Sequence, residues 1–378
     1  MKTSIYILSA SDRFNYGDLL FPIITMKELM KYGEYDFHNV GVVESDLSSI
    51  GALPSMKYNV LYKVKKSGKK PILIVAGGEV LGANWSKLYG FVYPSFNRLF
   101  KFLSNIERAI SKVFPNYGNP MPFVPTNKRI TQNFRIVFHS VGGKKAGPKQ
   151  LRKRVQETFD QSLYISIREK ESFNSIKSLF SLPQLMLTPD SAVVMSDHFR
   201  FEPQTSNNYI AFQVGHYKNG GDLGLINSEL LKLHTQTKLP IIFVPIGNCP
   251  GHDDILSLAW LKQNAEYPCE IIAAESIEKI MKTIAQASLF IGTSLHGIIT
   301  AMAFSVPYVA LNPKISKLKS YVSTWAPEPL KTISAFSAIY EKSLNALAVE
   351  KRILIENAEM QKELARNSFK TIAELINR

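Results

Sequence analysis

Short apolar runs alternate with amphipathic stretches along most of the chain. In the first half, polar loops separate the runs that we predict to be strands: Ser4–Leu8, Asn39–Val43, Pro71–Ala76, Phe134–Ser140, Leu163–Ile167 and Gln184–Leu187. The stretches Asp18–Lys31 and Glu169–Leu179 have the spacing of helices that bury one face. Continuous apolar runs are typical of strands in a parallel sheet that is covered on both faces.

The second half repeats this alternation with stronger signals. Residues Phe199–Asn208 are polar, contain Pro203 and show no apolar period, so we interpret them as a linker. The predicted strands that follow are Tyr209–Val214, Pro240–Pro245, Glu270–Ala273, Ser288–Gly292 and Tyr308–Leu311. The predicted helices are Asn227–Thr237, Ile255–Asn264, Ser276–Gln286 and His296–Phe304, and the chain from Ser334 onward is predicted to be helical, with a long helix over about 343–377.

These elements predict an α/β protein with two doubly wound, Rossmann-like domains that face a cleft. The arrangement is glycosyltransferase-B-like, with a C-terminal helical tail. We predict domains over residues 1–200 and 206–330 and the tail over 331–378. In open α/β sheets, ligands bind beyond the carboxyl ends of the strands, so the residues that follow each strand are the first candidates for a site.

One segment, at about 83–133, breaks the alternation and is rich in aromatic and basic residues. Apolar residues at 3–4 spacing from Phe96 to Val113 are interleaved with Arg98, Lys101, Arg108 and Lys112. The simpler interpretation is a helix that packs on its own domain. The alternative is a basic amphipathic helix at an anionic membrane surface, where a lipid-linked acceptor would be presented. Flotation with anionic liposomes separates the two.

Composition and charge narrow the class of protein. The formal net charge is +14, and the excess positive charge lies between Lys57 and Lys177. This asymmetry predicts an acidic partner: nucleic acid, an anionic membrane surface, or a phosphorylated or acidic glycan. No recognised nucleic-acid motif accompanies the charge, so nucleic acid is the weakest of these predictions. The two cysteines, Cys249 and Cys269, are interpreted as free thiols, which suits a reducing cytoplasm.

The amino-terminal run Ile5–Leu8 is too short for a signal peptide, and no apolar window is long enough to span a membrane. We therefore expect a cytoplasmic protein, soluble or peripheral on the inner face of the plasma membrane.

The sharpest candidate site is the junction between the strand Ser288–Gly292 and the following helix. Thr293 and Ser294 offer hydroxyl groups, and His296 and Gly297 fall in the first helical turn. The first N–H groups of a helix and its positive dipole end attract an anion such as phosphate. His296 can contact that anion or move a proton. The simpler alternative is that Thr293 or Ser294 only caps the helix.

A second candidate is Arg168, which ends the predicted strand Leu163–Ile167. A guanidinium at this edge can grip phosphate or carboxylate in a fork. The alternative is a surface ion pair with Glu169 or Glu171.

Further candidates follow the other strands of the first half: Asn15, Gly17, Asp18, Gly77, Gly78 and Glu79. Asp18 either caps its helix or acts as a carboxylate base. The glycines let a ligand or backbone come close, but they do not form a dinucleotide-binding fingerprint. The run His252-Asp253-Asp254 resembles a metal cluster, but adjacent residues at a helix start rarely converge on one ion, so we predict no metal.

The order of these motifs resembles the polysaccharide pyruvyl transferase family over about residues 10–312. The motifs that carry the resemblance are Asn15, Gly17 and Asp18; Gly77-Gly78; Ser166, Arg168, Glu169 and Ser172; Pro189-Asp190; Pro245 and Asp253; and Leu295-His296-Gly297 with Pro307. Each motif is short, but their order is fairly specific. The family resemblance implies a glycosyltransferase-B-like fold.

The resemblance also implies an activity and an arrangement of substrates. It implies transfer of a pyruvyl group from phosphoenolpyruvate, a co-substrate, to a sugar of a bacterial surface polysaccharide or its lipid-linked precursor, with no metal and no other cofactor. The N-terminal domain would hold the acceptor and the C-terminal domain the donor.

By position, Arg168 matches the family arginine that contacts phosphoenolpyruvate, His296 matches the family histidine, and Asp190 joins the substrate-binding set. Ser294 stands where the family has an arginine. Losing that charge-assisted donor removes about 1.5–3 kcal/mol from the expected phosphate site. A glycosyltransferase that uses a nucleotide sugar is therefore the leading alternative.

Overall fold

In the computed structural model, the described residues are 2–65, 69–93, 99, 102–103, 105–106, 121–144, 146, 149–202, 208–249 and 253–378. Most of the predicted amphipathic helix at 96–113, half of the linker with Pro203, and His252 lie outside these residues. Within them, no helix is long and apolar enough to cross a membrane. Cys249 and Cys269 are both free thiols, as predicted.

The chain forms two compact units. The N-terminal unit comprises Met1–Phe14, Asp18–Ser191 and Leu364–Arg378, and the C-terminal unit comprises Asn15–Gly17 and Ala192–Glu363. The sequence placed the boundary at 200–206, whereas the division falls at 191/192. It also assigned residues 15–17 to the first domain and the last helix to a separate tail.

A seven-stranded parallel sheet forms the centre of the N-terminal unit. Its strands run in the order β3-β2-β1-β4-β5-β6-β7. They are β1 (Thr3–Leu8), β2 (Tyr35–Gly41), β3 (Met56–Lys57), β4 (Ile72–Ala76), β5 (Arg135–Val141), β6 (Tyr164–Ile167) and β7 (Leu185–Leu187). The helices are α1 (Tyr16–Leu29), α2 (Val60–Lys63), α3 (Trp85–Val92), α4 (Lys128–Asn133), α5 (Arg152–Asp160) and α6 (Lys170–Leu179). Every residue of β4 is buried, as a continuous apolar run predicts for a strand covered on both faces.

A six-stranded parallel sheet forms the centre of the C-terminal unit, in the order β10-β9-β8-β11-β12-β13. Its strands are β8 (Ile210–Gln213), β9 (Ile241–Phe243), β10 (Cys269–Ile271), β11 (Leu289–Gly292), β12 (Tyr308–Leu311) and β13 (Ile333–Ser334). The helices are α7 (Met195–His198), α8 (Leu223–Thr237), α9 (Asp254–Gln263), α10 (Ile277–Ala285), α11 (Leu295–Ala303), α12 (Ser316–Trp325), α13 (Ile339–Leu347) and α14 (Lys351–Asn377). Both units are doubly wound and Rossmann-like, which confirms the predicted fold class.

The long terminal helix α14 divides between the units because its two halves contact residues of different units. In its first half, Gln361 accepts a hydrogen bond from the Tyr321 hydroxyl of the C-terminal unit (3.2 Å). In its second half, the Arg135 guanidinium donates to the carbonyls of Leu375 and Ile376 (2.5 and 3.1 Å), and Ser368 pairs with Tyr164 (2.9 Å). The second half therefore belongs to the N-terminal unit.

Candidate active site

The predicted junction between β11 and α11 is present in the C-terminal unit. All four residues of β11 are buried, and Ser294 adopts the extended backbone of an N-cap. Its hydroxyl oxygen accepts the backbone N–H of Gly297 at 3.3 Å, so the capping interpretation is confirmed for Ser294. Capping does not remove the positive dipole end of the helix, which remains directed at this edge of the sheet.

Thr293 links two neighbouring strands. Its backbone N–H and its hydroxyl both donate to the Gln213 side-chain oxygen (3.1 and 3.2 Å), and the hydroxyl accepts the N–H of Gly215 (3.0 Å). Thr293 is buried. Because its hydroxyl is hydrogen-bonded on both sides, Thr293 ties the end of β8 to the start of α11.

The segment Asn15–Gly17, which contains the start of α1, lies against the first turn of α11. Asn15 forms an isolated antiparallel bridge with Gly247, and the N–H of Tyr16 donates to the Ile246 carbonyl at 3.3 Å. A Cβ atom on Gly17 would lie 1.7 Å from Nδ1 of His296. No side chain larger than hydrogen fits there while the imidazole keeps its position. Gly17 and His296, two predicted site residues that are far apart in the sequence, are therefore in contact.

Tyr16 holds the same turn from inside the unit. The Thr300 hydroxyl donates to the His296 carbonyl at 2.7 Å, so the Tyr16 hydroxyl is the donor in its 2.9 Å bond to Thr300. Tyr16 and Thr300 are both fully buried. Burial raises the pKa of Tyr16, which keeps the phenol protonated and able to donate. The His296 carbonyl is therefore bonded to Thr300, which Tyr16 holds in turn.

Gly297 has a packing role. A Cβ on Gly297 would lie 2.4 Å from the Phe290 ring and 2.9 Å from Cδ1 of Ile246. The glycine lets α11 approach the sheet closely. Its N–H is taken by Ser294.

The sequence did not identify Gln213 and Asp254 as site residues. One oxygen of Asp254 accepts three hydrogen bonds, from the Gln213 amide (2.8 Å) and the N–H groups of Ile246 (3.1 Å) and Gly247 (2.9 Å). Asp254 thus holds the loop that contacts Asn15 and Tyr16. Gln213 is hydrogen-bonded to both Asp254 and Thr293, so it connects this loop to the start of α11. Asp254 lay in the rejected metal motif, and the described residues contain no group of three or more His, Cys, Asp or Glu side chains that could hold a metal ion.

Because Asp254 is a buried carboxyl group, we expect its protonation to make the stability of the protein depend on pH. Burial raises the pKa of this carboxyl from 3.8 to about 6, although its hydrogen bonds act in the opposite direction. The folded state then binds a proton more tightly than the unfolded state. As pH rises from about 4 to about 6, we expect a loss of unfolding free energy on the order of 2–3 kcal/mol. In the Asp254→Asn variant, this pH-dependent loss of unfolding free energy should be absent. The urea midpoints of the wild type and the variant from about pH 4 to about pH 7 measure this loss. A difference between the two midpoints that does not change with pH contradicts the prediction.

In the N-terminal unit, glycines bring two loops together at the carboxyl ends of the strands. Gly77 and Gly78 follow β4 with φ of 59° and 76°, the left-handed region that favours glycine. The N–H of Gly142, after β5, donates to the Gly78 carbonyl at 2.7 Å. Asp18 lies in the first turn of α1, with an oxygen 3.7 Å from the position of a Cβ on Gly78. Glu79 is exposed beside them.

Arg168 lies at the same edge, after β6, and is buried. Its Nη1 donates to Asp190 at 2.9 Å, and its Nε lies 3.6 Å from Glu169. The side chains of Arg168 and Asp190 are 2% and 0% exposed. Glu171 instead pairs with Lys144. Arg168 therefore forms buried ion pairs with Asp190 and Glu169, so the alternative of a surface ion pair is right for the partner Glu169 and wrong for its exposure.

Breaking the pair with Asp190 should destabilise the protein strongly. Arg168→Ala leaves the Asp190 carboxylate buried without its cation, which typically costs about 3–5 kcal/mol. The double variant Arg168→Ala with Asp190→Asn should recover part of that loss, because the uncompensated charge is gone. Urea unfolding of the three proteins measures this, and a loss below about 1 kcal/mol in Arg168→Ala contradicts it. Any loss of activity in Arg168→Ala must be compared with this loss of stability.

The chain is similar to one known protein family and to solved structures of other proteins. The family model described as polysaccharide pyruvyl transferase matches residues 15–314, well over half of the chain. No curated protein matches the chain. Among the solved structures that are similar to this chain are two with bound UDP or UDP-GlcNAc. The S. aureus MnaA–UDP co-structure has a TM-score of 0.54 and 11% identity, with 100% of this chain and 98% of that chain covered. A UDP-GlcNAc 2-epimerase from Neisseria meningitidis bound to UDP-GlcNAc has a TM-score of 0.51 and 13% identity, with 100% and 99% covered. At these identities the likeness shows the fold alone, and it supports the predicted glycosyltransferase-B-like fold.

Proposed function

Because the chain belongs to the polysaccharide pyruvyl transferase family, whose members are transferase enzymes, we propose that it transfers a pyruvyl group from phosphoenolpyruvate to a sugar of a surface polysaccharide or its lipid-linked precursor. The observation that carries this proposal is the position of His296. Its imidazole lies in the first turn of α11, against Gly17, at the carboxyl end of β11. Ligands of doubly wound sheets bind at such an edge.

The donor phosphate is proposed to bind at the first turn of α11. The dipole of the helix favours an anion there, and small residues precede the helix. His296 then acts as general acid or stabilises the leaving phosphate. The backbone that carries this imidazole is anchored, because the His296 carbonyl is bonded to Thr300 and Thr300 to the buried Tyr16.

The proposed reaction joins two hydroxyl oxygens of one sugar to the central carbon of the enolpyruvyl group. The methylene carbon of phosphoenolpyruvate gains one proton and becomes a methyl group. The bond between the central carbon and the phosphate oxygen breaks, and the phosphate leaves with the second hydroxyl proton. The products are a cyclic ketal and inorganic phosphate. It stays a prediction that Arg168 binds phosphoenolpyruvate. It also stays a prediction that Asp18 is the base that accepts a hydroxyl proton.

Thermal stabilisation by candidate ligands tests the proposal. A ligand that binds the folded state at one hundred times its Kd stabilises the protein by about 2.7 kcal/mol, which is measurable as an increase in Tm. We expect phosphoenolpyruvate to raise Tm and pyruvate alone to have little effect, since it lacks the phosphate. No stabilisation by phosphoenolpyruvate, together with stabilisation by UDP, GDP or CMP, would contradict the proposed donor.

The second candidate function is a glycosyltransferase with a nucleotide-sugar donor. Ser294 in place of an arginine favours it. The same thermal panel separates the candidates, because a glycosyltransferase should respond to a nucleotide and not to phosphoenolpyruvate.

A further inference from the structure

The proposed phosphate site lacks a cation at position 294. Ser294 is neutral, and its hydroxyl oxygen is already used as the cap of α11. A phosphate group needs charge-assisted hydrogen bonds for tight binding, since these are roughly twice as strong as neutral ones. Tight binding of a phosphate here therefore requires a positively charged side chain from another part of the chain.

The end of β8 is one of the two strand ends beside β11 from which such a side chain can come. β8 pairs with β11, and Gln213 is opposite Gly292 in the register. The turn after β8 and the start of α11 therefore leave the sheet side by side. That turn is the 3₁₀ segment His216–Lys218. Nδ1 of His216 lies 3.1 Å from the Ser257 hydroxyl, so this ring faces α9.

Lys218 lies in this turn, beside Gly215 and Oδ1 of Asp254. Its side chain folds over Gly215, with Cδ 3.3 Å from the position of a Cβ on that glycine. The N–H of the same glycine donates to the Thr293 hydroxyl at 3.0 Å. Gly215 therefore separates the Lys218 side chain from the residue that precedes the N-cap of α11.

The backbone of Lys218 is held in place. Its N–H donates to the Gly215 carbonyl at 2.8 Å, and its carbonyl accepts the Asn312 amide at 2.8 Å. The side chain is half-buried, which limits its conformations more than full exposure would. Lys314, which follows β12 on the other side of β11, is exposed. Of these two lysines, Lys218 is the one positioned against the Thr293 network.

We propose that Lys218 binds the phosphate of the donor and takes the place of the arginine that the family has at position 294. This inference rests on the proposed function and adds a specificity-determining residue to it. A lysine ammonium binds phosphate as a point charge, whereas an arginine binds it as a fork. The site then combines the dipole of α11 with a lysine from the neighbouring strand end.

The competing role for Lys218 is structural, because its charge also acts on the buried carboxylate of Asp254. A purely structural lysine would change stability and the pH dependence that Asp254 causes, but it would not change phosphate affinity. The two roles therefore predict different results in a binding measurement, which makes affinity the deciding readout.

Calorimetric titration of the full chain with phosphoenolpyruvate, inorganic phosphate and UDP tests the inference. The variants are Lys218→Gln, Lys218→Arg and, as a matched control, Lys262→Gln, an exposed lysine on α9 of the same unit. We expect Lys218→Gln to weaken phosphoenolpyruvate binding roughly 10- to 100-fold, the loss of one charge-assisted contact. Lys218→Arg should retain most of the affinity, and Lys262→Gln should match the wild type. Urea midpoints of each variant show how far the fold has changed.

The outcomes separate this inference from the proposed function. Phosphoenolpyruvate affinity of Lys218→Gln within about twofold of the wild type overturns the role of Lys218 and leaves the proposed function standing. Wild-type protein that binds UDP and not phosphoenolpyruvate overturns the proposed function, and the variants measured with UDP then decide on Lys218 as a phosphate ligand. Wild-type protein that binds none of the three overturns both.

Discussion

Replacing His296 with alanine is expected to lower kcat by about 10²–10⁴-fold, the usual contribution of a side chain that transfers a proton in the transition state. The imidazole is the ionisable group in the first turn of α11, and its backbone is anchored through Thr300 to Tyr16. The measurement is release of inorganic phosphate from phosphoenolpyruvate in the presence of an acceptor glycan.

The His296→Ala variant should keep its fold, because the side chain is only half-buried and Tyr16 bonds to Thr300 rather than to the imidazole. Its Tm should stay close to that of the wild type. A pH profile adds a second readout: the limb of kcat that depends on the imidazole should disappear in the variant. Activity near that of the wild type would reject any role for His296 in the chemistry.

The junction around His296 was predictable from the sequence because its signals are local. An apolar run, two hydroxyl residues and a glycine define a strand, a cap and a helix within a few positions. β11 and α11 were predicted to within one residue at each end. The same reasoning missed β3 and β13, because two-residue strands carry no period, and it missed the break between α13 and α14.

The network that fixes the site was not predictable in this way. The Tyr16 hydroxyl meets Thr300 at a separation of 284 positions, and Gln213 meets Thr293 at 80. Such pairs depend on the order of strands in the sheet, which one sequence does not specify. Tyr16 reads locally as one more apolar residue of α1, and nothing in its neighbourhood shows that residues 15–17 join the C-terminal unit.

Gly17→Ala should reduce kcat by about as much as the loss of His296 itself, on the order of 10²–10⁴-fold. The new methyl carbon would start 1.7 Å from Nδ1 and 2.0 Å from Cγ of His296, far inside van der Waals contact. Either the imidazole moves away or the segment Asn15–Gly17 withdraws from Ile246 and Gly247. A displacement of about 1 Å at a catalytic group is enough for losses of this size.

A double variant shows whether Gly17 acts through the imidazole. If it does, Gly17→Ala should lower the activity of His296→Ala no further, because the ring that the methyl group displaces is already gone. The matched control is Gly224→Ala in α8 of the same unit, where the closest described atom would be 3.6 Å from the new carbon and activity should be unchanged. Multiplicative losses in the double variant would instead mean that Gly17 acts independently of His296, as a direct contact of the substrate or through the segment itself. Near-wild-type activity of Gly17→Ala alone would show that the contact between this glycine and the imidazole has no part in catalysis.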